Sequence, residues 1–257
     1  MLSSELFEIV APAFCAGLMI SLTHAPLGLE VYRRGIIFID LAIAQFAGLG
    51  MIAANLLWHE PAWWIIQIAA LGSAIAAALV FRITERILPL EQEAIIGSSF
   101  VLAGATALLL LADRPHGGED IQHLLSGQIL FVSWRDVQFH APVYLGILLM
   151  WFAWPHKARK GNLFYLLFAI AITSSVQLVG VFVVFASLIL PALASSNSKN
   201  KVFSAWCCGC VSVLAGIGIS AGIDSSTGPV LVITYAISAA TIRVVTTIWK
   251  MWCSDRN

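Results

Sequence analysis

Charged side chains are scarce in this sequence: they make up 11% of 257 residues, while 60% are hydrophobic. Ordinary soluble domains carry roughly a quarter charged residues, so too few groups remain here to solvate a surface in water. Lipid must be the main solvent. The apolar blocks also lack alternation at helical or strand period, running unbroken until a short polar cluster interrupts them, which excludes a soluble core of the usual kind. No Gly-x-x-x-x-Gly-Lys-Ser/Thr loop is present; if ATP drives this protein, another polypeptide must bind it. A His-Glu-x-x-His helix and a Gly-x-Ser-x-Gly elbow are missing too, and no paired catalytic groups fall at one depth, so no enzymatic activity is expected. No nucleic-acid partner is expected either.

Low-complexity stretches and long linkers are also lacking, so residues 1–257 are expected to form one transmembrane domain. Met1 to Glu8 carries acids where a signal peptide needs a basic leader, so the first apolar segment is expected to persist as a helix. What the chain does contain is apolar length. Roughly 20 apolar residues cross a hydrocarbon core about 30 Å thick, and such segments fall at 7 to 27, 36 to 57, 62 to 80, 93 to 112, 141 to 155, 162 to 176, 178 to 196, 203 to 222 and 228 to 248. The expected fold is all-α, a polytopic transmembrane helical bundle of eight to nine helices. The run from Asn162 to Ser196 is long for one pass and short for two, with Thr173-Ser174-Ser175 and Gln177 as its only polar break.

Charge settles the parity. With the N-terminus outside and two passes through that run, twelve of the fourteen Lys and Arg lie on the inner side, leaving Arg114 and Arg135 outside. That is a strong positive-inside signal, and it places the C-terminus in the cytoplasm. A single pass would put Lys199 and Lys201 outside. The outer face then collects eight of the fourteen acids, among them Glu60, Asp113, Glu119, Asp120 and Asp136. A net charge of zero hides this asymmetry.

Four of the five cysteines lie in apolar spans, three of them in Trp206-Cys-Cys-Gly-Cys210. No histidine or carboxylate is near enough in sequence to complete a tetrahedral site, so they are expected to pack as small hydrophobes. By these spans none of the six histidines falls at mid-membrane. His116 and His123 share the outer excursion, 113 to 140, with Glu119, and Glu119 and His123 are four apart. An interfacial helix there would put those two on one face, with imidazole and carboxylate ligands suited to zinc, manganese or iron. A solvated amphipathic helix is the commoner use of such a pattern.

Asp40 is the one carboxylate well inside a span. An ionised side chain at mid-depth costs at least about 2.5 to 3.5 kcal/mol, which makes it a functional candidate; the competing reading pairs it with Arg33 or Arg34. Gln45, deeper on the same helix, offers a carbonyl oxygen to a cation or an amide to a neighbouring helix. At 100° per residue the two lie about 140° apart around the axis, so they do not readily share one ligand.

Taken in order, these segments resemble the permease family of ATP-binding-cassette importers for zinc, manganese and iron. That family's second helix begins with an arginine pair and continues through Gly-Asp-x-x-x-His to a glycine. Here Arg33-Arg34-Gly-Ile-Ile-Phe-Ile-Asp-Leu-Ala-Ile-Ala-Gln45-Phe-Ala-Gly-Leu-Gly50 occupies that place. Glu93-Ala-Ile-Ile-Gly97, Leu125-Ser-Gly-Gln-Ile-Leu130, the stretch Val179 to Ala194 and Ser226-Thr-Gly-Pro follow in the family's order.

The resemblance implies two permease copies paired as a homodimer, two cytoplasmic ATP-binding subunits, a periplasmic metal-binding protein and the bacterial inner membrane. The cargo would be a divalent metal, with no cofactor bound. It also implies a metal path lined by Asp40 and Gln45. The sequence departs from the family in two places: anchored on Gly50, Gln45 stands at the histidine position and Leu41 at the aspartate position, and the segment 155 to 162 is short. The ATPase contact is then expected at Phe81 to Glu93, including Glu91 and Glu93, and at Lys157, Arg159 and Lys160. A secondary transporter driven by protons or sodium is the alternative, although a lone buried carboxylate fits it poorly.

Overall fold

The computed structural model describes residues 2–58, 60–112, 125, 127, 129–223 and 225–254. Among them the regular structure is helical: α1 (Leu2–Arg34), α2 (Ile39–Leu57), α3 (Trp63–Ile87), α4 (Gln92–Leu111), a 3-10 turn at Ile129–Phe131, α5 (Trp134–Ala153), α6 (Pro155–Ala158), α7 (Gly161–Ser195), α8 (Lys201–Ile223) and α9 (Thr227–Ser254). The all-α polytopic expectation holds. Seven of these helices contain stretches long and apolar enough to cross a membrane. The expected segment at 141 to 155 lies in α5 as far as Ala153 and runs to the first residue of α6, and neither helix is among those seven.

The described helices correct three expected boundaries. α1 runs on to Arg34, so the arginine pair closes α1 instead of opening the second helix. α5 starts at Trp134 because Ser133 and Asp136 form a capping box: the Ser133 N–H and Oγ donate to Asp136 Oδ2 at 2.9 and 2.7 Å. Burial opposes charge on Asp136, yet these two bonds, with His140 and Arg135 nearby, hold its pKa below the ordinary carboxylate value.

The third correction concerns the long run, where helix continues through Thr173 to Gln177 and breaks at Gly180 (φ 76°, ψ 166°). The helix carries this polar cluster without interruption: Ser175 and Gln177 have partners, while Thr173 Oγ1 is buried without one among the described residues. Ser175 Oγ donates to Ala171 O at 2.8 Å and accepts from Tyr144 at 2.9 Å, while Gln177 pairs with Gln67. Gly180 adopts a backbone region essentially closed to other residues. Gly127, also at positive φ, lies against it: a Cβ there would fall 2.1 Å from the Val179 carbonyl carbon. Two of the family-like motifs thus meet through their glycines.

The chain forms two compact units. One comprises Met1–Arg34, Gln128–Ala141 and Phe182–Asn257. Within it Trp206 Nε1 donates to Leu22 O at 2.9 Å, Ser21 and Tyr235 hydroxyls meet at 2.8 Å, and Thr234 Oγ1 reaches Ser212 O at 3.1 Å. Cys208 is buried against Ala194 and Ala239, the packing role expected of it.

The other unit comprises Gly35–Gly127 and Pro142–Val181. Here α2 packs on α3 so closely that a Cβ on Gly50 would lie 2.3 Å from Ala69 O. Ser73 Oγ donates to Phe46 O at 2.7 Å across the same contact. Phe164 stacks on Phe168 (centroids 5.6 Å) and meets Trp151 and Tyr165, forming the aromatic core. Exposed Trp58, Trp63 and Trp64 flank the α2–α3 connection, a placement suited to the membrane interface.

Candidate functional site

Asp40 stands in the first turn of α2 and is fully buried. No side chain among the described residues hydrogen-bonds either of its carboxylate oxygens. The arginines that could neutralise it are engaged elsewhere: Arg33 Nη2 and Arg34 Nε reach Glu30 Oε1 at 2.7 and 2.9 Å. The spacing of Glu30, three and four residues before the pair, is the signal that marks this interaction. The pairing of Asp40 with Arg33 or Arg34 is therefore replaced by a buried Glu30 that takes both.

Gln45 is also buried on α2. Because α2 is a regular helix over Ile39–Leu57, the angular separation of Asp40 and Gln45 stands, and the two side chains leave the helix on different faces. Glu93, in the first turn of α4, turns toward the start of α2. Its Oε1 accepts the Phe38 N–H at 3.2 Å, its Oε2 is buried without a partner among the described residues, and its charge is close enough to act on Asp40.

The other sequence-derived candidates separate by exposure. Glu91, Lys157 and Lys160 are exposed. Arg159 is half-buried, its guanidinium 5.4 Å from the centroid of the Trp151 ring, which makes it in part a packing residue. His116, Glu119 and His123 lie outside the described residues. Among the described residues no three His, Cys, Asp or Glu side chains gather as a metal-holding group.

Two polar residues matter that the apolar pattern did not mark. Gln92 is buried between α3 and α7, its Nε2 donating to the Tyr165 hydroxyl at 2.9 Å. His24, expected near a membrane end, instead lies well inside the span Val10–Arg34 and is fully buried. Its Nδ1 is 2.7 Å from Ser187 Oγ. Since Ser187 donates to Val184 O at 2.9 Å, the imidazole is the donor.

The model of the ABC 3 transport family matches residues 6–159 and 157–246. The chain belongs to the ABC 3 transport family. The two matched stretches meet at 157–159, within the short segment where the sequence departs from the family pattern. The same assignment follows from the ordered motifs, so the resemblance is borne out at the level of family.

Similar proteins include the high-affinity zinc uptake system membrane protein ZnuB of Haemophilus influenzae, 25% identical over 259 residues and covering 90% of this chain and 95% of that protein. The manganese transport system membrane protein MntC of Halalkalibacterium halodurans is 22% identical over 249 residues, covering 88% and 84%. Among solved structures, PsaBC from Streptococcus pneumoniae in complex with Fab shares the fold, with a TM-score of 0.73 at 19% identity over 96% of this chain and 95% of that one. This ABC 3 family member is a multi-pass membrane protein.

Proposed function

We propose that this protein is the permease subunit of an ATP-driven importer that carries a divalent transition metal ion, zinc first and manganese or iron next, across the bacterial inner membrane by alternating access. The observation that carries this reading is Asp40: a carboxylate removed from water, with no side-chain partner among the described residues, in a chain of a transport family. An uncompensated intramembrane acid is costly and is kept for function. A passing cation supplies the charge it lacks. Gln45 offers a second, neutral oxygen on another face of α2, which suits a path that must release what it takes.

Residues 1–257 would act as one permease domain, in pairs, with the C-terminus cytoplasmic. Two ATP-binding subunits would dock at the cytoplasmic loops through Glu91, Lys157 and Lys160, and a periplasmic metal-binding protein would deliver the ion. Relatives named for zinc and manganese transport support a metal as cargo.

The test is uptake of zinc, manganese and iron, each measured separately, in cells lacking their own importer for that metal. Asp40→Ala should abolish uptake while the protein reaches the membrane at its normal level, and uptake by the native chain should survive an uncoupler as long as ATP is maintained. Normal uptake by Asp40→Ala removes Asp40 from the path, and collapse with the uncoupler favours a gradient-driven carrier.

A further inference from the structure

α2 begins without a cap of its own. Phe38 occupies the N-cap position and has no side-chain oxygen to accept the free N–H groups of the first turn. Glu93 supplies one from another helix, 55 positions away in sequence, through the 3.2 Å bond from the Phe38 N–H to its Oε1. A carboxylate accepting a backbone N–H makes a strong, charge-assisted bond, and its negative charge suits the positive end of α2.

Asp40 follows Phe38 by two residues, and no side chain among the described residues holds its carboxylate, which lies against the backbone N–H groups of Asp40 and Leu41 in its own turn. The position of that carboxylate is therefore set by the backbone of the first turn of α2. Glu93 comes two residues after the exposed Glu91 in the turn between α3 and α4. One hydrogen bond thus separates an exposed loop from the backbone that carries Asp40.

We propose that Glu93 is a positioning residue for Asp40: it ties the start of α4 to the first turn of α2, so that displacement of the α3–α4 turn by a cytoplasmic partner moves Asp40. Glu93 acts through the oxygen that accepts the Phe38 N–H. The proposal rests on the reading of the chain as an ATP-driven permease with Asp40 on its path, and it gives Glu93 a part distinct from the exposed Glu91, Lys157 and Lys160.

The experiment uses the full permease reconstituted in vesicles with its ATP-binding subunit, with zinc chloride and manganese chloride as separate probes, and follows ATP hydrolysis and metal uptake together. Glu93→Ala is expected to lower the maximal uptake rate about tenfold, the order expected for one charge-assisted hydrogen bond, with half-saturation by metal unchanged and ATP hydrolysis retained. Glu93→Gln keeps an acceptor oxygen and should restore most of the rate. Phe38→Pro removes the same N–H from the other side; it should reproduce the loss, and the double variant should be no worse than either single one.

Uptake by Glu93→Ala at the native rate overturns the proposal. So does failure of Glu93→Gln to rescue, which would make charge and not the bond the operative feature, and so does loss of ATP hydrolysis together with uptake, which would make Glu93 a structural or docking residue. If the native protein shows no ATP-dependent uptake of either metal, the permease reading itself fails, a result separate from all of these.

Discussion

Gln67 and Gln177 exchange both of their amide hydrogen bonds, each Nε2 reaching the other's Oε1, at 2.7 and 2.9 Å. The pair lets α3 and α7 carry amides through an apolar unit, each amide donating one hydrogen bond and accepting one. In lipid such bonds are worth about 0.6 kcal/mol each on average, but an unpaired amide costs more. Gln67→Leu and Gln177→Leu are each expected to destabilise the protein by ~1–2 kcal/mol, and the double variant by less than the sum. Unfolding in mixed micelles measures this, and strict additivity of the two changes would show that the amides do not act as a pair.

His24 and Ser187 form a buried hydrogen-bonded couple between α1 and α7. With the imidazole donating to a hydroxyl that itself donates to Val184 O, Ser187→Ala removes the acceptor of that bond and is expected to cost ~1–3 kcal/mol. His24→Ala removes the donor but opens a cavity, so its cost is of the same order. A double-mutant cycle should give a coupling of at least about 0.5 kcal/mol. Coupling near zero would mean that the contact contributes nothing to stability.

Gly127 and Gly180 both hold positive φ angles, 61° and 76°, that side chains resist. Gly180→Ala forces a side chain into a region that costs of order 1–3 kcal/mol, and Gly127→Ala adds collision with the backbone at Val179. Both variants should accumulate poorly in the membrane. Gly146→Ala is the control: nothing lies within 4 Å of its Cβ position, and in a helix interior alanine is favoured over glycine by about 1 kcal/mol. If all three variants accumulate equally, the break at Gly180 is not a requirement of the fold.

Much of the site was legible in the sequence, and the parts that were not share a cause. Asp40 stood out because one carboxylate inside an apolar run is conspicuous whatever it touches. Its lack of a basic partner did not: Arg33 and Arg34 are the nearest basic residues in sequence, and only the folded chain gives them both to Glu30. Glu93 was visible as part of a motif beside an inner loop, but its bond to Phe38 spans two helices, and a backbone N–H leaves no trace in residue type. His24 was misplaced in depth because α1 runs further toward Arg34 than its apolar stretch suggests.

Membrane insertion, the helical class and the family were determined by the sequence alone. The first two follow from composition and from the length of apolar runs, since a bilayer acts on local hydrophobicity and needs no knowledge of neighbours. Tertiary structure alone decided where the long run breaks and which polar groups are satisfied. Helix continues through Thr173 to Gln177, where Tyr144 meets Ser175 and Gln67 meets Gln177, and it breaks at Gly180. Whether a polar side chain in lipid interrupts a helix or holds two together depends on what lies across from it, and that is set by packing between segments distant in sequence.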